Sequence, residues 1–200
     1  YLSAYTAIAF NWLRDLGHTP PQAVEDKLHD YLLTLLRQDV YPDFYTRGMA
    51  SSVRAVALAA LAPHGKIDQS DLDRYQPHVE RMDLFGRAHY LMAATEIAGA
   101  DSGYAADARK QIMAQSVQSG GKIGFNEELD DSYTRILATP LRANCAILSG
   151  LIGLKDAPEV TGAALELPVK LTRHITQSRG KKDHWENTQE NMFCTHALID

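Results

Sequence analysis

Cysteine is scarce: Cys145 and Cys194 are the two in 200 residues. That number excludes a disulfide-scaffold class and is compatible with a reducing or an oxidising compartment. Basic excess is also missing, since 20 Lys+Arg stand against 25 Asp+Glu for a net charge of −5. A phosphate-backbone binder normally carries a basic surplus or stripe, so nucleic acid is not an expected partner. The densest basic stretch, Arg179-Gly180-Lys181-Lys182, reads as a solvated loop. No run approaches the roughly 18 apolar residues needed to span a bilayer, and no signal-peptide pattern opens the chain. Thirteen Gly and eight Pro are too few for a collagen-like chain, and 45% hydrophobic residues exclude disorder.

What is present is helical periodicity almost throughout. The spacing predicts helices over residues 1–16, with Leu2, Tyr5, Ala9, Trp12, Leu13 and Leu16 on one stripe, and over 21–38, with Val24, Leu28, Tyr31, Leu32 and Leu35 inward. Further helices are expected over 48–62, 69–80, 84–98 and 102–118, the last ending at Gly120-Gly121, a flexible turn. The period then changes to alternation at 122–125 and 133–137, joined by an acidic link over 126–131, which reads as a small β-hairpin. Thr139-Pro140 starts another helix to about residue 152. A helix over 159–178 is expected to be interrupted at Pro168, and Thr188 is taken as the cap of the last one.

Helix starts repeat. Ser51-x-x-Arg54-Ala55, Leu84-x-x-Arg87-Ala88 and Thr139-x-x-Arg142-Ala143 each open a small-residue-rich helix, and Thr188-x-x-Asn191 opens a fourth. Such helices suit an inner layer, while the more charged, one-sided helices between them suit an outer layer. The fold class expected is all-α: antiparallel helix pairs in an α-solenoid or, favoured by the irregular repeat length, a closed α/α toroid with a small hairpin near 122–137. Tyr1-Leu2-Ser3-Ala4-Tyr5 and Leu198-Ile199-Asp200 are already in helical register. Residues 1–200 therefore read as a single domain cut from a larger multidomain protein, and a missing leader says nothing about compartment.

Little catalytic chemistry is visible. Cys194 and His196 stand two apart, about 200° around a helix, so they do not form a nucleophile–base pair. Both cysteines read as buried inert thiols; a Cys145–Cys194 disulfide requires their repeat-equivalent helices to be close neighbours in an oxidising compartment. Glu128-Leu129-Asp130-Asp131 has the look of the acid motif of toroidal terpenoid cyclases. Its first residue is Glu, however, and Asn126 and Glu127 flank it, so a solvated acidic turn is the better account. No carboxylate pair stands out for glycosidase or lyase chemistry. The eight histidines include no His-Glu-x-x-His and no spacing that pairs two ligands on one turn. His18, His64 and His184 are expected in loops, His89 and His196 as satisfied core residues, and Trp12 and Trp185 as packing anchors. No catalytic, cofactor-binding or metal-binding residue is assigned.

The opening Tyr1-Leu2-Ser3-Ala4-Tyr5, the Arg-Ala helix starts, Asp83-Leu84-Phe85-Gly86-Arg87-Ala88-His89-Tyr90-Leu91 and above all Trp185-Glu186-Asn187-Thr188-Gln189-Glu190-Asn191 resemble helix starts of the thioester-type domain of bacterial alpha-macroglobulins. The similarity runs over most of the chain. It implies an α/α toroid within a protease inhibitor whose bait region is cleaved and whose attacker is then entrapped, covalently where a Cys-x-Glu-Gln thioester is present. This chain has no such motif: Cys145 is followed by Ala146-Ile147-Leu148 and Cys194 by Thr195-His196-Ala197. It lies upstream of Tyr1 or the parent lacks it. The resemblance further implies a non-enzymatic module and a periplasmic parent anchored to the inner membrane. Its partners would be proteases, other domains of the same chain and cell-envelope proteins. The alternatives are a toroidal enzyme acting on polysaccharide or isoprenoid, which needs a deep central cavity lined by acids or aromatics, and a helical-repeat binding scaffold. Near Thr188, Gln189-Glu190 is expected to complete the helix-start hydrogen bonding, at a turn that in the family borders a domain surface.

Overall fold

Helix formation here is governed by caps and small residues. The computed structural model describes residues 1–154 and 166–199, and among these are nine α-helices and a single two-stranded sheet. In chain order they are α1 (Leu2–Asp15), α2 (Gln22–Arg37), α3 (Arg47–Leu61), α4 (Gln69–Tyr75), α5 (Leu84–Ala98), α6 (Gly103–Met113), β1 (Ser116–Ser119), β2 (Lys122–Phe125), α7 (Pro140–Ile152), α8 (Glu166–Ser178) and α9 (Thr188–Ile199). Short 3-10 turns follow α3 (Ala62–His64) and α4 (Gln76–Arg81) and precede α7 (Asp131–Ile136). The chain is thus all-α with a small hairpin. The expected start of the eighth helix, 159–165, lies outside the described residues.

Odd-numbered helices form an inner row, α1 beside α3, α3 beside α5, α5 beside α7 and α7 beside α9, while α2, α4, α6 and α8 pack on its outside. The inner helices hold the core: α3 buries every residue from Met49 to Leu61, and α7 buries nine of its thirteen. Small side chains permit this close approach. A Cβ added at Gly86 would lie 2.7 Å from the Ser52 Cα, so α3 and α5 touch backbone to backbone there. The row's ends, α1 and α9, meet through aromatic side chains: Phe193 stacks edge-on to Trp12 at 5.2 Å between centroids, and His196 lies over Trp12 at 4.4 Å.

Several expectations are corrected. The strand 122–125 is present, but its partner is Ser116–Ser119, not 133–137, with Ser116 opposite Phe125 and Ser119 opposite Lys122. Gly120 and Gly121, at φ 54° and 75°, supply the two left-handed residues that a tight two-residue hairpin turn requires. They therefore join two strands, and α6 ends at Met113 instead of 118. Residues 131–136 wind into a 3-10 turn because Asp130 accepts from Ser132 N at 2.8 Å. Pro77 shortens the fourth helix, whose continuation is 3-10. Pro168 is the third residue of the described part of α8, and the segment before that part, on which the expected interruption depends, lies outside the described residues.

Faces also moved. On α1 the buried positions are Ala4, Ala7 and Ile8, leaving Leu2, Leu13 and, just past the helix, Leu16 exposed. On α2, Val24 and Tyr31 are exposed and the inward line is Glu25, His29, Leu32 and Leu36. The two cysteines are not free thiols. They form a disulfide joining α7 to α9, whose Cα atoms at that point are 4.9 Å apart, so these helices are the close neighbours that such a bond requires.

Candidate functional site at the helix-entry end

Four of the five inner helices begin with a side-chain cap, α1 being the exception, and the caps gather at one end of the molecule. Thr46 accepts from Met49 N (3.1 Å), Asp83 from Gly86 N (2.7 Å) and Thr139 from Arg142 N (3.1 Å). For α9 the cap is Asn187, not Thr188: its Oδ1 accepts from Glu190 N at 2.9 Å, and Glu190 Oε2 accepts from Glu186 N, one residue before the cap, at 3.1 Å. The second bond reaches the residue before the cap, so Glu190 completes the helix-start hydrogen bonding expected of this turn without closing a capping box on Asn187. Ser51 likewise lies in the second turn of α3 and does not open it.

The repeated Arg-Ala pattern has a common physical role despite these shifts in register. Arg54 donates to Gln38 O at 2.7 Å, Arg87 to Val79 O at 3.2 Å and Glu80 O at 2.9 Å, and Arg142 to Ile136 O at 2.6 Å. Asn191 donates to Trp185 O at 3.1 Å. Each residue binds carbonyl oxygens of the segment leading to the inner helices, groups that would otherwise be left without partners as the chain turns inward.

Arg142 is the centre of this end. It is 0% exposed, lies 3.9 Å above the Phe85 ring, and donates to the Tyr1 hydroxyl at 3.0 Å. Tyr1 in turn donates to Gln189 Oε1 at 2.5 Å, so the first turns of α1, α5, α7 and α9 are joined around one guanidinium. Burial pushes the Tyr1 phenol up to about 12, partly offset by Arg142. Glu127 reaches in from the 126–131 link and accepts from Leu84 N with both oxygens, at 2.9 and 3.0 Å. Desolvation, reinforced by Asp83, raises its carboxyl to about 7. The link is therefore only partly a solvated turn: Glu128, Asp130 and Asp131 are exposed, while Glu127 is drawn inward.

His89 is a satisfied core residue as expected: it is buried, shares a hydrogen bond with Phe85 O at 2.8 Å, and is held down to about 4 by burial. His196 is half-buried against Trp12. Trp185 is buried, with Nε1 donating to Ile175 O at 3.3 Å. An open depression of about 420 Å³ lies between the entrances of α7 and α9, against Leu137, Thr139, Asn187 and Gln189. A second hollow, of about 230 Å³, draws its lining from all five inner helices, including Trp12, Ala59, His89, Ala146 and Phe193. The disulfide leaves neither cysteine as a nucleophile. Chemically, this end offers hydrogen-bonding groups on a fixed frame and a carboxyl that titrates near neutrality.

Among the described residues, one group of side chains converges closely enough to hold a metal: Glu25, His29 and His64, with His64 just past the end of α3 opposite its cap. The sequence reading missed it because it compared histidines with one another. The available signal was the i, i+4 spacing of Glu25 and His29 on a helix.

No family model matches this sequence, and comparison with curated proteins finds no match. Solved structures do match it in fold. Salmonella alpha-2-macroglobulin reacted with methylamine superposes with a TM-score of 0.76 at 17% identity, over 99% of this chain and 12% of that one. Trypsin-activated alpha-2-macroglobulin from Escherichia coli gives 0.71 at 17% identity over 99% of this chain and 12% of that one. Native Escherichia coli alpha-2-macroglobulin spanning domain MG7 to the C-terminus gives 0.74 at 17% identity, over 99% and 29% respectively. This chain thus has the fold of one segment of those proteins and spans about an eighth of the length of the longer ones.

Proposed function

We propose that the chain is a thioester-domain-like module of a bacterial alpha-macroglobulin, and that it contributes to protease inhibition by bait cleavage and entrapment without turnover of its own. The observation that carries this reading is the superposition over 99% of the chain at a TM-score of 0.76. At 17% identity, agreement over nearly every residue reflects a shared helix order and packing more than shared side chains.

In this reading the inner row is part of an α/α toroid. Supporting it are the common direction of the inner helices, the hollow bounded by five of them, and the aromatic contacts between α1 and α9. Exposed Leu2 and Leu13 on α1, Leu16 just after it, and Val24 and Tyr31 on α2 are surfaces that other domains of the same chain would cover. The disulfide agrees with an oxidising compartment; in this reading the parent works in the periplasm, tethered to the inner membrane. No described helix is long and apolar enough to cross a membrane, so the tether would lie elsewhere in the parent. A thioester, where the parent has one, is likewise supplied by another part of it. The hollow between the inner helices, at about 230 Å³, falls below the roughly 300–1,000 Å³ of small-molecule sites, which speaks against a toroidal enzyme.

Incubating the full-length parent with trypsin tests the proposal. Bait cleavage, compaction and retention of the protease are expected, with activity lost towards large substrates and kept towards small ones. A protease that stays fully active on large substrates and forms no complex overturns the inhibitor role. Methylamine incorporation then reports whether the parent carries a thioester.

A further inference from the structure

The outer helix α2 turns two polar side chains inward, one helical turn apart. Glu25 is 1% exposed and His29 2% exposed, an unusual choice for the buried face of a helix. Across from them, the 3-10 turn after α3 presents His64, whose ring centroid is 4.5 Å from that of His29. One ligand atom from each of the three side chains lies within 4.8 Å of the others. They line an open cavity of about 430 Å³ together with Asn11, Arg14 and Lys66.

His29 Nε2 is buried and has no hydrogen-bond partner. A buried polar nitrogen left so is uncommon, because the lost hydration is not replaced. The neighbouring contacts leave lone pairs available. Asn11 donates through Nδ2 to Ala60 O at 3.0 Å, so its Oδ1 faces His64 Nε2 at 2.8 Å. His64 Nε2 must then be the donor, and Nδ1 is the nitrogen with a lone pair to offer. Arg14 holds the Glu25 carboxylate from one side through both oxygens, with Nε to Oε1 at 3.0 Å, and a carboxylate has about four acceptor positions. A ligating imidazole oriented by an amide, and a carboxylate oriented by a guanidinium, are the outer contacts that metal ligands usually have.

We propose that Glu25, His29 and His64 form a binding site for a divalent transition-metal ion, zinc being the natural occupant of a two-imidazole, one-carboxylate set. Three protein ligands leave a fourth position for water. The ion would tie α2 to the end of α3, with α1 contributing Asn11 and Arg14 as orienting residues. Burial and the adjacent His64 disfavour the charged form of His29, with Glu25 opposing them; the site itself rests on the convergence of the three side chains and the unpartnered His29 Nε2. This inference stands apart from the inhibitor reading, and its test does not involve a protease.

Zinc ion itself is the probe, titrated into the purified, metal-stripped chain in competition with a chromophoric chelator. Uptake of one equivalent is expected, with affinity reduced at least tenfold in His29→Gln and in His64→Gln and unchanged in His18→Gln, whose side chain is exposed elsewhere. Far-UV circular dichroism checks that each variant folds. Cobalt substitution and X-ray absorption on the wild-type chain supply a readout that needs no variant: two imidazole nitrogens and a carboxylate support the site. An all-oxygen shell, absence of saturable uptake, or equal uptake by the His29→Gln/His64→Gln double variant overturns it.

Discussion

Glu127 and His89 both pack around the first turns of α5, yet they titrate in opposite senses. The Glu127 carboxyl rises to about 7 on burial from an ordinary value near 4.5, so between those values the folded chain holds a proton that the unfolded chain has released. Its effect is to make stability fall as pH rises through that window and to level off above 7. His89 falls to about 4, so between 6.5 and 4 the unfolded chain binds a proton that the folded chain refuses, and stability falls as pH falls. Over about pH 4.5–6.5 the two slopes oppose one another. Glu127→Gln keeps an acceptor for Leu84 N and removes one slope. The variant is expected to exceed the wild type by on the order of 2 kcal/mol at pH 8 and to match it near pH 4.5, as read from urea midpoints at the two values. A constant difference at both would sink the assignment. None of this was legible from Glu127 alone, which sits among acidic residues in the sequence. Its burial depends on the 126–131 link bending back over the start of α5, which no local pattern specifies. By contrast, Thr139 as a cap and Arg142 as the residue three beyond it were readable, because a cap acts on its own helix.

At the scale of elements, the periodic segments were legible and their partners less so. All the helices within the described residues were expected, because a 3.6-residue repeat is a property of consecutive residues. The hairpin went astray because strand pairing is a relation between segments: 122–125 could pair forwards or backwards, and Gly120-Gly121 decided for backwards. The inward face of α2 was misread for a related reason, since a face bearing Glu25 and His29 looks like the solvent side until Arg14 and His64 are seen opposite. The disulfide is the same case, depending on how closely α7 and α9 pack. It closes a 49-residue separation, and in the chain-entropy view a loop of that length stabilises by about 4 kcal/mol at most. The Cys145→Ala/Cys194→Ala variant is expected to lose about 2–4 kcal/mol, or roughly 5–15 °C in Tm for a chain of this size. Dithiothreitol should bring the wild type to the same Tm and leave the variant unchanged. A wild-type Tm that does not respond to complete reduction counts against this estimate.

For the whole molecule, the decisive question is whether the two ends of the inner row support one another. In an open helical array each unit contacts only its neighbours, so a defect in the last helix is felt next door and fades along the chain. Here Phe193 on α9 packs against Tyr5 and Trp12 on α1 as well as Phe85 on α5, with centroids 5.0–5.7 Å apart. The Tyr1 hydroxyl is also bonded to both Arg142 and Gln189. Damage at α9 should therefore reach α1 directly across the centre, without passing through α7, α5 and α3. Truncating Phe193 to Ala removes a fully packed ring and is expected to destabilise by about 3–5 kcal/mol. Native-state hydrogen exchange then separates the two architectures. If the ends are joined, amides of α1 lose protection together with those of α9 while the outer helices α4 and α6 change less. An open array predicts that the loss is largest in α9, smaller in α7, and absent from α1; that pattern would contradict the joined row on which the toroid reading rests.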